Sequence, residues 1–252
     1  MWIGPATRGG PGKADDMRLL SWNIHKGIGG RDRRYALGRI IECIEAENPD
    51  LVCLQEVDRL VRRSDFDDQP RLLARHFRAH SVFQSNVAVG RGCYGNLVLS
   101  RWPVETRHRI LLRQGSRKPR GAQLVSVASP EGPLHVVNTH LGLAERERHW
   151  QIDRLLGHVL FRSADHLPTL LVGDFNDWRD TLAGGALAGG GFAQVTAPAR
   201  GFRSFPAWLA VGSLDKAFVR GRIGVHEARI VRTRLAKVAS DHLPLVVDFH
   251  LW

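Results

Sequence analysis

Asp174 and Asn176 close the apolar run Leu170-Leu171-Val172, within the string Gly173-Asp174-Phe175-Asn176-Asp177-Trp178. A carboxylate delivered by a buried strand is costly to desolvate unless a cation or a set of donors meets it. The placement therefore points to work beside a metal ion or a water; the competing reading is an ordinary turn with Asp and Asn as turn formers. Glu56 stands in the same way after Leu51-Val52-Cys53-Leu54, where Glu is a poor turn residue, and Asn23 ends Leu19-Leu20-Ser21-Trp22 as a further oxygen donor. Carboxylates, an amide and water form the hard-oxygen donor set that suits Mg²⁺.

Imidazole completes the inventory. Ser240-Asp241-His242-Leu243-Pro244 precedes the last apolar run, and in such a loop one of Asp241 and His242 can contact a metal while the other reaches a substrate. Asp215, in Ser213-Leu214-Asp215-Lys216, starts a strand pattern and is placed to orient that histidine. His140, in Asn138-Thr139-His140-Leu141, offers a second ring. Any single histidine among the 12 is an ordinary surface or core residue; the ensemble is what suggests a site.

These residues need elements that bring them together. Leu37, Ile40, Ile41 and Ile44 follow i, i+3, i+4, i+7 spacing and predict a helix from about Arg33 to Glu47, ending before Pro49. Ile152, Leu155, Leu156, Val159 and Leu160 repeat the stripe. Short apolar runs at Leu51–Leu54, Leu97–Leu99, Leu134–Val137, Leu170–Val172 and Leu245–Val247 predict buried strands. Met17–His25, a helix and Asp50–Glu56 share an order with Leu134–His140, a helix and Thr169–Asp174: strand, Asn-x-His, helix, strand, acid. That weak repeat implies two strand-helix-strand crossovers, whose polar strand ends share sheet edges. Residues 1–16, with four Gly and two Pro, read as a flexible tail before a single domain over residues 17–252, and Met17 offers a second start.

Composition is that of a globular chain: 252 residues, 43% hydrophobic and 24% charged. No apolar run approaches the ~18 to 20 residues of a membrane span and no secretory h-region opens the chain, so a soluble cytoplasmic protein is expected. Cys43, Cys53 and Cys93 fit neither a disulfide framework nor a CxxC zinc site. The net charge of +11 suits polyanions, although only five of the 36 basic residues are Lys, a bias that genome composition also produces.

In order, Trp22-Asn23-Ile24-His25, Leu54-Gln55-Glu56-Val57, Gly95-Asn96-Leu97-Val98-Leu99-Ser100-Arg101, Asn138-Thr139-His140-Leu141, Gly173-Asp174-Phe175-Asn176, Leu214-Asp215 and Ser240-Asp241-His242 resemble the endonuclease/exonuclease/phosphatase (DNase I-like) superfamily. The resemblance covers nearly all of Met17–Trp252. The strings Asn23-Ile24-His25-Lys26-Gly27 and Gly173 to Arg179 look closest to a bacterial branch often encoded beside cardiolipin synthases. The resemblance implies an α/β, four-layer sandwich: two packed mixed β-sheets flanked by helices. It implies that Asn23 and Glu56 hold Mg²⁺, with Mn²⁺ as a substitute and Asp241 near it. It further implies that Asp174 aligns or activates the attacking water, Asn176 binds a phosphate oxygen, Asp215 orients His242, and His140 contacts the phosphate or leaving oxygen. Asn96 and Arg120, the latter in Lys118-Pro119-Arg120-Gly121, stand as substrate-binding candidates. Abasic-site enzymes of the group tend to carry Tyr where His140 stands, so the likeness leans to its DNase, phosphatase and lipase branches.

Hydrolysing a phosphate ester demands on the order of 20 kcal/mol of barrier lowering, which a metal, polar donors and a carboxylate-aligned water can share. The expectation is therefore a Mg²⁺-dependent phosphoesterase acting on a phosphodiester, with nucleic acid favoured. The alternatives are a phospholipid or phosphomonoester hydrolase of the same fold and a catalytically silent nucleic-acid or lipid-binding protein. A calcineurin-type site is disfavoured because no Gly-Asn-His triplet occurs. Basic runs at Arg31–Arg34, Arg59–Arg63 and Arg113–Arg120 suit a nucleic-acid backbone. Phe202, Phe205, Trp208 and Leu209, interleaved with Arg200 and Arg203, suit either peripheral contact with an anionic membrane or packing over the strand that presents Asp215. No obligate protein partner is evident.

Overall fold

Alternating burial along the strands determines the architecture. Val125, Val127, Val136, Leu170 and Val172 share one core with Leu19, Leu51, Val98 and Val247, whereas Leu124, Val137 and Leu171 belong to a second core with Ile152 and Leu155. Neighbouring residues of a strand point to opposite faces, so these strands are apolar on both sides: one face meets another sheet and the other meets helices. The chain is seen as a computed structural model that describes residues 16–252. The tail expected over residues 1–16 lies outside the described residues except for Asp16.

In chain order the elements are β1 (Met17–Asn23), α1 (Leu37–Glu47), β2 (Leu51–Arg59), α2 (Gln69–Phe77), β3 (His80–Val89), β4 (Gly92–Ser100), β5 (Val104–Leu111), β6 (Gly121–Ser129), β7 (Gly132–His140), α3 (Glu145–Gly157), α4 (Val159–Arg162), β8 (Thr169–Asp174), α5 (Ala186–Gly189), β9 (Ala193–Gln194), β10 (Asp215–Arg220), β11 (Ile223–Ile230), α6 (Arg234–Ala239) and β12 (Leu245–Leu251). They form two six-stranded sheets, ordered β11-β12-β1-β2-β4-β3 and β5-β6-β7-β8-β10-β9. In the first sheet the parallel pair β1/β2 lies between antiparallel neighbours, and in the second the parallel pair β7/β8 does the same. The repeat noticed in the sequence is thus one crossover in each sheet. The sandwich of two mixed sheets with helices outside is the fold expected from the resemblance.

Two helix expectations need correction. The first helix begins at Leu37 rather than Arg33: Arg33 has φ of 58°, and an isolated bridge pairs Ile28 with Tyr35. The stripe through Val159 and Leu160 is not continuous either. Helix α3 ends at Gly157, His158 is extended with its Nδ1 accepting from the Leu160 amide, and Val159 is 72% exposed at the start of α4.

Buried amides tie the sheets together where the chemistry-bearing strand ends meet. Gln55 Nε2 donates to Asn138 Oδ1 at 2.8 Å, Asn138 Nδ2 donates to the Leu54 carbonyl at 3.0 Å, and Gln123 Nε2 donates to the Val82 carbonyl at 2.6 Å. Unsatisfied amides here would each cost about 1–3 kcal/mol, so this network specifies how one sheet sits on the other.

Candidate active site

Strand register places the acids. His140 pairs with Asp174 across parallel β7/β8, and Asp215 pairs with Asp174 across antiparallel β8/β10, so the three share one row at the sheet edge. Gly173 makes that closure possible. Its φ is 141°, and a Cβ there would stand 1.9 Å from the Thr139 carbonyl oxygen.

Side chains from β1, β7 and the loop before β12 converge on Oδ2 of Asp174: Asn23 Nδ2 at 3.0 Å, His140 Nε2 at 3.4 Å and His242 Nε2 at 3.7 Å. Its Oδ1 accepts from the backbone N–H of Asn176 at 3.0 Å. Burial raises the Asp174 carboxyl to about 6, with Asp215 adding to the rise while His242, Asn23 and Asn176 oppose it. At neutral pH the group is ionised yet basic enough to take a proton.

His242 is held from both ends. Its Nδ1 lies 2.8 Å from Asp215 Oδ2, which also accepts from the Ser204 hydroxyl, and its carbonyl accepts from Trp22 Nε1 at 2.8 Å. Phe205 packs on the ring, centroid to centroid 4.8 Å. Burial works against a charged ring, but Asp215 and Asp174 overcome it and raise His242 to about 10. His140 is the opposite case: burial first, then Arg120, hold it well below the usual imidazole range. One imidazole is cationic and the other neutral, within reach of the same carboxylate oxygen.

Glu56 and Asp241 bound the other side. The β2/β4 register slips between Leu54 and Val57, and Glu56 sits in that bulge with φ of 56°, which turns its side chain out of the strand alternation. Lys26, at φ 62°, donates its ammonium to Glu56 Oε2. Burial pushes the Glu56 carboxyl up, but the Lys26 ammonium, through its charge and its hydrogen bond, outweighs it, leaving the group below its ordinary value and ionised. His25 Nε2 lies 3.8 Å from Asp241 Oδ2, and the His25 amide donates to Asn23 Oδ1 at 3.1 Å, so one loop contacts Asn23, Glu56 and Asp241. Glu56 already serves a cationic group, and with Asp241 and the Asn23 amide oxygen bordering the same loop it belongs to a set of oxygen donors of the kind a hard divalent cation takes.

The remaining candidates lie around this centre. Asn176, at φ 50°, donates Nδ2 to the Leu141 carbonyl at 3.0 Å. Arg120 is buried near His140, with its Nε unpartnered. Asn96 bonds inward, donating Nδ2 to the carbonyls of Gly121 and Asn138 and accepting from Asn86. Lys26, His25 and Ser204 join the site beyond the candidates with a role expected from sequence. Lys26 and His25 had a signal, their adjacency to Asn23, whereas Ser204 had none, because its contact with Asp215 depends on a loop. Around the rim, Arg63 and Lys118 lie over the Tyr94 ring at 5.0 and 5.2 Å. Near Phe205, Trp178 packs edge-on at 5.9 Å, while Trp208 and Leu209 are 45% and 68% exposed. Only part of the aromatic segment packs down.

Known proteins share this arrangement of elements. The chain is 31% identical over 247 residues to the uncharacterized protein YbhP of Escherichia coli strain K12, covering 93% of this chain and 96% of YbhP. The endonuclease/exonuclease/phosphatase structure from Beutenbergia cavernae is 23% identical with a TM-score of 0.74, covering 94% of this chain and 72% of that one. The human Nocturnin catalytic domain, solved with a bound sulfate anion, gives 23% identity, a TM-score of 0.71 and 94% coverage of both chains. Danio rerio TDP2, solved with a single-strand DNA product, gives 16% and 0.69, covering 93% of this chain and 99% of that one. The sequence pattern of the Endonuclease/Exonuclease/phosphatase family spans residues 20–242, from β1 through His242, and the chain belongs to that family.

Proposed function

We propose that the protein is a Mg²⁺-dependent phosphodiesterase that attacks phosphorus with a water aligned by Asp174. The convergence of Asn23, His140 and His242 on one oxygen of Asp174 carries this reading, since a binding module has no need of a buried base flanked by a cationic and a neutral imidazole. Family membership supports phosphate-ester hydrolysis in general.

Asn23, Glu56 and Asp241 would hold the cation, with Mn²⁺ as a substitute, and the ion would supply polarisation of a phosphoryl oxygen. Asp174 accepts the proton of the attacking water. The His242 imidazolium, oriented by Asp215, aims an N–H at the charge that develops on the phosphoryl group. Neutral His140 and the Asn176 amide contact a phosphate oxygen or the leaving oxygen, and Arg120 lines the phosphate pocket. Fixed donors need no reorganisation as charge develops, which is why their effect falls on turnover.

The net charge of +11 and the Arg63/Lys118 rim favour a nucleic-acid strand as the substrate. A second reading, a phospholipid substrate, is favoured by the exposed Trp208 and Leu209 beside His242's partner Phe205. A screen of DNA, RNA, a phosphomonoester and anionic phospholipid vesicles, with Mg²⁺ or Mn²⁺ and then chelator, separates them. Metal-dependent cleavage of DNA or RNA supports the first reading, and cleavage of vesicle lipid alone replaces it with the second.

A further inference from the structure

At the opposite end of β1 from Asn23, a second set of metal-type ligands comes together. Asp16 and Asn23 are seven residues apart along the chain, about 23 Å at ~3.3 Å per strand residue. Here the side chains of Asp16, His226 and His250 bring one ligand atom each to within 4.8 Å of one another.

Three adjacent strands build the cluster. Met17 pairs with Phe249, so the register continued by one step sets Asp16 beside His250, and on the other side of β12 His250 pairs with Gly224. Gly224 leaves room for the ring: a Cβ there would stand 2.2 Å from Cε1 of His250. The β11/β12 register slips between Val225 and Glu227, making His226 the extra residue of a bulge. Its ring stacks over His250, with centroids 4.5 Å apart and planes at 30°, and its Nε2 lies 3.1 Å from Asp16 Oδ1.

We propose that Asp16, His226 and His250 form a Zn²⁺ site, separate from the catalytic centre, that ties the entry of β1 to the edge strand β11. An ion pair between Asp16 and His226 leaves one feature unexplained: the Nδ1 of His250 is buried and makes no hydrogen bond. A metal gives such a nitrogen a partner. Two imidazoles and one carboxylate are the donors of Zn²⁺, whereas Mg²⁺ avoids nitrogen. Tetrahedral Zn²⁺ with bonds of ~2.0–2.1 Å sets its ligand atoms ~3.3 Å apart. The Asp16–His226 edge is already of that length, and His226, with a side chain 42% exposed, is free to turn and close the rest. Asp248, the next acid along β12, is turned to Arg18 through bonds of 2.6 and 2.7 Å, and the carboxylate that lies beside both imidazoles is that of Asp16.

The test is Zn²⁺ binding to the full chain by equilibrium dialysis in excess Mg²⁺, which keeps Zn²⁺ from the hard-oxygen site, with bound metal counted by mass spectrometry. Wild type and Glu56→Gln should each bind one Zn²⁺. His226→Gln and His250→Gln should each weaken binding at least ~100-fold, since even partners of metal ligands change affinity ~10–100-fold. Co²⁺ alone should give tetrahedral visible bands in wild type that His226→Gln abolishes; at its exposed position that variant keeps the fold even if His250→Gln does not. The proposal is overturned if no Zn²⁺ binds, if His226→Gln binds like wild type, or if Glu56→Gln alone loses the ion.

Discussion

Asp215 faces Asp174 across a single position of the β8/β10 ladder, and the His242 ring bridges the two carboxylates, Nδ1 at 2.8 Å from one and Nε2 at 3.7 Å from the other. One acid therefore orients an imidazolium, while the other presents to that ring the oxygen on which Asn23 and His140 also converge. Asp215→Asn should lower kcat at least ~10²-fold and move the alkaline limb of the pH profile to lower pH, because the ring loses its principal counter-charge. An unchanged alkaline limb would show that Asp215 does not set the charge of His242.

With saturating Mg²⁺, kcat/KM should rise through about pH 6 as Asp174 ionises and fall as His242 loses its proton near pH 10. The stability consequence has a definite sign. A histidine whose folded pKa is raised from 6.5 to about 10 contributes stability that is full below 6.5 and lost as pH climbs through about 10. Thermal melts should show Tm falling over that interval, and His242→Gln should shrink the fall; an equal fall in the variant would contradict the coupling.

Asp174→Asn and His242→Ala should each reduce kcat by at least ~10², and the double variant should lose less than the product of the two, since both groups act at one oxygen. Steady-state kinetics on the best substrate decides this. Full multiplicativity would mean that they act independently.

Much of this site was legible because its acids and amides terminate apolar runs: Asn23 after Leu19–Trp22, Asp174 after Leu170–Val172, Asp215 at the start of a strand. Periodicity also exposed the two crossovers. It did not reveal that a bulge turns Glu56 toward Lys26, that Ser204 caps Asp215, or that Asp16, His226 and His250 meet, because each depends on strand register between distant segments. The helix break at His158 was hidden for a local reason: Val159 and Leu160 continue an apolar spacing that the backbone does not follow.

Lys26 stands on the carboxylate that would hold the cation. Lys26→Met should therefore lower the Mg²⁺ concentration giving half-maximal activity by several-fold, since a competing positive charge is removed. A higher requirement would instead make Lys26 an aid to metal or phosphate binding.

Lys118→Ala should raise KM for DNA, leave kcat near wild type and flatten the dependence of log KM on log salt, as expected when a phosphate contact is lost. Trp208→Ala should leave KM for DNA unchanged. The reverse pattern, with vesicle binding lost in Trp208→Ala, would favour the lipid substrate.

The most direct measurement is turnover of single-stranded and duplex DNA, RNA and a small phosphodiester by wild type and Asp174→Asn, each with Mg²⁺ and after exhaustive chelation. Phosphodiester cleavage that requires the metal and drops at least ~10²-fold in Asp174→Asn is the expected result. Turnover that survives chelation, or that is equal in the two proteins, would contradict water activation by Asp174 beside a metal held by Asn23, Glu56 and Asp241.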